Sequence, residues 1–146
     1  MEYSLPLLTL GLLLSLKHFV ADGPLQTPYM YLNKGQFMHP GGLIHAGVHA
    51  LGTLLALAVT GICFSGVLPA LIAGLVVMDF AIHYGVDLTK VRLTKKYGWS
   101  AMGTDAQGKP SLNIYNNMFF VALVADQCLH FATYVGIMAA FMAWGL

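Results

Sequence analysis

Residues 43–65 read LIHAGVHALGTLLALAVTGICFS. No charged residue interrupts the run, and its length matches the roughly 20 residues an α-helix needs to cross the hydrocarbon of a bilayer. Its first turns nevertheless carry His45 and His49, and a spacing of four stacks two side chains on one helix face. The same spacing recurs in His18 with Asp22, His83 with Asp87, and Asp126 with His130, each in a stretch apolar enough for a membrane helix. Ionisable groups inside lipid are costly and usually mark function. The pattern predicts an all-α integral membrane protein with four transmembrane helices that share one polar site.

Composition supports this. The chain has 146 residues, enough for a single domain, 1–146. It is 58% hydrophobic and 9% charged, against about 25% charged in soluble domains. Its mean hydropathy is +0.71, and a net charge of +1 argues against a nucleic-acid partner. Spans are expected at about 5–21, 43–65, 67–88 and 118–144. The first apolar run lacks a positive n-region and an A-x-A-like site, so it reads as a retained helix rather than a signal peptide. Gly23-Pro24 ends it. Residues 25–42 read as a polar loop with a short interfacial helix around Tyr29 to Leu32. Ser65-Gly66 is expected to form a tight turn, with Pro69 in the first turn of the next helix. That helix continues as an amphipathic tail to Lys96, and residues 97–117 read as a loop.

The seven Lys and Arg fall in or beside two connections: Lys17 and Lys34 mark the first; Lys90, Arg92, Lys95, Lys96 and Lys109 mark the third. The positive-inside rule places both in the cytoplasm, giving an N-out/C-out topology. All four pairs then converge at one depth on the cytoplasmic side.

Imidazole and carboxylate are ligands that zinc, iron and manganese accept, and helical bundles build two-metal sites from facing helices. The candidate ligands are His18, Asp22, His49, His83, Asp87, Asp126 and His130. His45 is the weakest candidate, an additional ligand at most, and Asp79, four residues before His83, is read as a partner that orients a ligating His. Gln26 and Gln127 flank two pairs as candidate contacts to substrate or water. Each residue also has a plainer reading. A histidine can be an interhelical hydrogen bonder, Asp87 can pair with Lys90 or Arg92, Asp22 can cap a helix, and Asp126 can pair with His130. His39, beside Pro40, reads as structural.

Tyr29, Tyr31, Tyr84, Tyr97, Trp99, Tyr115 and Phe119 read as an aromatic belt at one interface and Trp144 at the other. Gly47, Gly52, Gly61, Gly74 and Gly136 read as sites of close helix packing. Cys63 and Cys128 form no CxxC and read as buried free thiols.

Several pieces resemble a bacterial and phage membrane-protein family catalogued as domain of unknown function 3307. They are Lys17-His18-Phe19-Val20-Ala21-Asp22, Leu25-Gln26-Thr27, Asn33-Lys34-Gly35, His45 to Ala50, His83 to Asp87 with Lys90, and Asp126 to His130. Gly23 departs from the aromatic or aliphatic residue usual after the Asp. The resemblance implies the same polytopic fold in the bacterial inner membrane and no established activity. A looser similarity in pattern connects the chain to predicted membrane-bound metal-dependent hydrolases, by analogy alone.

Three functions remain open. The first is a metal-dependent hydrolase acting on a lipid, lipid-linked or other ester or phosphoester. Zinc is the first choice of metal, manganese and iron the alternatives, and a metal-bound water the nucleophile; no protein residue is assigned as catalytic. The second is an accessory subunit of a larger membrane complex, or a homo-oligomer. The third is a di-iron or haem redox protein, with His49 and His130 as haem ligands.

Overall fold

The computed structural model describes residues 4–64, 69–112 and 116–144. Four helices are long and apolar enough to cross a membrane: α1 (Ser4–Asp22), α3 (Pro40–Phe64), α4 (Pro69–Tyr97) and α5 (Asn117–Trp144), with the short α2 (Pro28–Asn33) between the first two. They overlap the four expected spans; α3 begins at Pro40 rather than at residue 43, and α4 carries on to Tyr97. The expected turn at Ser65-Gly66, and Tyr115 of the aromatic belt, lie outside the described residues.

Local chemistry sets the boundaries. Thr27 caps α2, its hydroxyl accepting the Met30 N–H at 3.3 Å, and Pro28 occupies the first turn. At the end of α4, Gly98 has φ +68° and Trp99 N–H reaches back to the Thr94 carbonyl at 2.8 Å, the hydrogen bond of a Schellman stop. The loop after α4 contains an unexpected antiparallel hairpin, β1 (Met102–Thr104) with β2 (Pro110–Leu112). Its turn forms because the Asp105 carboxylate accepts the N–H groups of Gln107 and Lys109, at 2.9 and 2.8 Å, while Gly108 takes φ +76°.

The helices form a closed ring. α1 packs on α3 and α5, and α4 packs on the same two. Within this ring α3 and α4 run antiparallel in a four-residue ladder. His45 meets Asp87, the His49 ring stacks on His83, Thr53 bonds Asp79, and Leu57 and Leu75 share one apolar cluster. The ladder grades from ionisable to apolar with depth. Its apolar end joins Leu10 and Leu14 of α1 with Tyr134, Ile137 and Phe141 of α5.

Burial is inverted relative to a soluble bundle. Ile62 is 86% exposed whereas Asp79 and His83 are each 1% exposed. Apolar side chains turn outward because lipid solvates them as well as a core does, and polar groups turn inward to find partners. The same logic corrects the reading of Cys63 and Cys128, which are free as expected but exposed on helix surfaces rather than buried.

Between the two ends lies an ion-pair layer. Lys17 Nζ sits 2.9 Å from Asp79 Oδ2, 3.3 Å from the His49 carbonyl and 4.5 Å from the Tyr134 ring centre. The Thr53 hydroxyl donates to the same Asp79 oxygen at 2.7 Å. Gly52 makes room for this layer, since a Cβ there would lie 3.0 Å from Lys17 Cβ and 3.2 Å from its Cδ. Gly47, Gly74 and Gly136 face open space, so close packing explains none of these three. Gly52→Leu is therefore expected to destabilise the bundle by roughly 1–3 kcal/mol, as overpacking does. Gly136→Leu should leave stability near that of the parent, and equal thermal unfolding of both variants in detergent would contradict the packing argument.

Candidate metal centre

The four sequence pairs meet at one end of the ring. His45 Nε2 lies 3.1 Å from Asp22 Oδ1 and 3.1 Å from Asp87 Oδ2, and 3.4 Å from His83 Nε2. His49 Nε2 is 3.3 Å from Asp22 Oδ1, and His83 Nε2 is 3.5 Å from Asp87 Oδ2. The rings of His49, His83 and His130 form a stack, with centres 3.6 and 4.1 Å apart. Two groups offer ligand atoms within 4.8 Å of one another: Asp22, His45, His49 and His83, and His83, Asp87 and His130.

Hydrogen bonding alone does not account for this crowd. A ring nitrogen carries one proton or one lone pair, yet His45 Nε2 faces two carboxylates, His83 and the Gln26 amide, the last at 3.3 Å. Asp87 Oδ2 touches two imidazoles and still has no hydrogen-bond partner among the described residues. Asp126 Oδ1 is similarly unpartnered, although His130 Nε2 is 3.5 Å away. Ligand atoms about 2.0–2.1 Å from a tetrahedral zinc stand about 3.3–3.4 Å apart, and three contacts in the first group, at 3.1, 3.3 and 3.4 Å, are of that order. The Nδ1 atoms of His45, His49 and His83 are buried and unpaired among the described residues, a cost of roughly 1–3 kcal/mol each that a ligand at Nε2 leaves in place.

His18 and Asp126 sit at the edge of the cluster, outside both groups. The Gln127 amide donates to Asp126 Oδ2 at 3.2 Å and offers its carbonyl to His18 Nε2 at 2.9 Å. Nε2 of His18 is thus a donor, and Nδ1 accepts from the Tyr134 hydroxyl at 2.9 Å. With both nitrogens engaged, His18 orients Asp22, whose Oδ2 is 3.2 Å away. Gln26 donates to the other Asp22 oxygen at 3.3 Å. His45, the weakest candidate by sequence, lies at the centre and is 1% exposed.

Three lysines complete the electrostatics, and the sequence reading did not identify their partners. Lys34 Nζ is 3.0 Å from Asp87 Oδ1, Lys90 Nζ is 3.3 Å from Asp126 Oδ2, and Lys17 holds Asp79. Asp87 thus pairs with Lys34 rather than with Lys90 or Arg92. Asp79, read as orienting a ligating His, turns instead to Lys17 and Thr53. It lies one turn deeper than His83, where the ladder places Thr53 opposite. Asp22 is the exception among these carboxylates: its ion-pair contacts among the described residues are His18, His45 and His49 alone. His39 is structural, taking the Gly41 N–H at 3.1 Å and packing on Tyr29. The Tyr84 hydroxyl accepts the N–H of Met38, whose φ of 57° strains the loop, so this belt residue also pins the turn into α3.

The fold and its interior together define a small polytopic helical bundle with a buried His/Asp centre. Residues 8–145 match the family described as protein of unknown function (DUF3307), and the chain belongs to that family. No curated protein and no solved structure matches it.

Proposed function

We propose that the chain is a multi-pass protein of the bacterial inner membrane that holds a divalent metal at its cytoplasmic side. Zinc is the first choice, with manganese and iron as alternatives. Asp22, His45, His49 and His83 would hold one ion, and Asp87, His130 and Asp126 offer ligands for a second. The activity that fits is hydrolysis of a lipid, lipid-linked or other ester or phosphoester.

The observation that carries this reading is Asp22, a carboxylate with three imidazoles and no lysine in contact among the described residues. A half-buried carboxylate inside the bundle favours a cation beside it. Asp22 is also the accessible edge, its side chain 26% exposed against 1% for His45 and 0% for His49. Catalytic metal sites keep such an open position, whereas structural ones are closed. A divalent ion there would polarise a carbonyl or phosphoryl oxygen and lower the pKa of a bound water. Gln26 and Gln127 stand beside Asp22 and Asp126 to orient a polar group, and Lys90 supplies a nearby positive charge.

Haem fits poorly, because the His83 ring fills the space between His49 and His130. An accessory subunit, with the cluster as interhelical glue, is favoured by one observation: Asp79, Asp87 and Asp126 each have a lysine of their own. A protonated imidazole beside Asp22 would then supply the missing charge. Elemental analysis of detergent-purified protein separates the two. The metal reading expects near-stoichiometric zinc, manganese or iron that chelators remove slowly, and folded, metal-free protein would contradict it.

A further inference from the structure

Two cavities adjoin the centre on the α4–α5 side. The first, of about 510 Å³, is an apolar groove between the helices, lined among others by Ile82, Val86, Leu93, Val121 and Ala122, with Lys90 and Asp126 at one end. The second, of about 450 Å³, is lined by Lys34, Lys90, Lys95, Thr94, Ser100 and Phe119 among others. The two share Lys90 and Trp99. Both volumes lie in the range of small-molecule sites. The chain thus builds an apolar slot that faces lipid and opens into a basic, polar chamber.

We infer that this pair of cavities seats one phosphate-bearing lipid, its chain in the α4–α5 groove and its phosphate on Lys90 and Lys95. The charge pattern selects an anion. An ammonium group has three donors, and Lys90 gives Asp126 a single contact of 3.3 Å. Lys34 lines the same chamber but is already paired with Asp87 at 3.0 Å, so Lys95 is the cation there without a carboxylate among the described residues. Phe119, in the first turn of α5, lines the same chamber. Asn116 fixes the chamber's roof by donating to the carbonyls of Ser100 and Gly98 at 2.9 and 3.3 Å. The α1–α3 groove offers a contrast: at about 300 Å³ it is equally apolar, but its one lysine is Lys17, already committed to Asp79. It has a place for a chain and none for a phosphate.

As an assignment of substrate this rests on the proposed hydrolase, because Lys34 and Lys90 join the chamber to Asp87 and Asp126. A lipid phosphoester held here would place its phosphate at the edge of the metal centre.

Trp99 lies at the junction and reports on occupancy. In a Trp144→Phe background it is the sole tryptophan. The protein is reconstituted in phosphatidylcholine vesicles containing either brominated phosphatidic acid or brominated phosphatidylcholine at equal mole fraction. The expected result is several-fold stronger quenching of Trp99 by the anionic lipid. Lys95→Gln, at an exposed position that does not threaten folding, should reduce that preference, and Lys90→Gln with Lys95→Gln should abolish it. Ala122→Leu, which narrows the groove, should weaken quenching by either lipid. Inorganic phosphate at matched concentration should not compete, because it has no chain. Equal quenching by the two lipids, a preference that survives the double lysine variant, or full displacement by free phosphate would each overturn the proposal. Metal content is measured on the same samples. Lipid preference without metal sinks the hydrolase and leaves the lipid seat; metal without lipid preference does the reverse.

Discussion

His83→Ala is expected to abolish metal binding at the proposed centre. His83 is the one residue common to both potential ligand groups, and its ring holds the stack of His49 and His130 in register. Losing an outer partner of a ligand costs about 10–100-fold in metal affinity, and losing the ligand itself should cost more. The purified variant should therefore carry little metal under conditions in which the parent retains it. His39→Ala provides the control, because His39 lies outside both ligand groups and serves the turn before α3. Metal content unchanged in His83→Ala, with the His39 variant behaving the same, would remove the basis for the proposed centre. A fold check comes from the ion-pair layer one turn deeper, which His83→Ala does not touch.

The second large effect concerns that layer. Asp79→Leu leaves the Lys17 ammonium buried, with a backbone carbonyl and the Tyr134 ring as its remaining contacts. Breaking a buried pair by removing one partner costs roughly 3–5 kcal/mol, because an uncompensated charge remains. Lys17→Met should cost a similar amount. The double variant, Lys17→Met with Asp79→Leu, should recover most of the loss, since apolar groups of similar size replace a desolvated pair at little net cost. Unfolding in detergent, measured for the parent, both single variants and the double, completes a cycle. Additive losses in the double variant would show that the two side chains are not coupled.

These expectations draw on parts of the molecule that differed in how legible they were. The four helices could be read from length and composition, since an uninterrupted apolar run has few other uses. The short helix at Pro28–Asn33 was foreseeable from its Thr-Pro start and its place between Gly- and Pro-rich stretches. The pairs at a spacing of four were also visible, because that interval is fixed by the turn of one helix. A further regularity in the sequence was passed over. His45, His49, Thr53 and Leu57 ascend in fours while Asp87, His83, Asp79 and Leu75 descend in fours. Set antiparallel, these two rows predict the ladder and place Asp79 opposite Thr53 rather than with a histidine. The hairpin at Met102–Leu112 was missed because its strands are short and its turn depends on the Asp105 side chain rather than on a hydrophobic pattern.

The sequence by itself determined that four helices cross an apolar phase and that each carries ionisable groups on one face. Only the tertiary structure decided which groups meet. Lys34 with Asp87, Lys90 with Asp126 and Lys17 with Asp79 are joined across 53, 36 and 62 residues of chain, and no local periodicity records such pairings. The same is true of Asp22, whose lack of a lysine in contact among the described residues becomes visible once the other partners are assigned. The physical reason is that helical spacing is a property of one segment, whereas the balance of buried charge is a property of the whole ring.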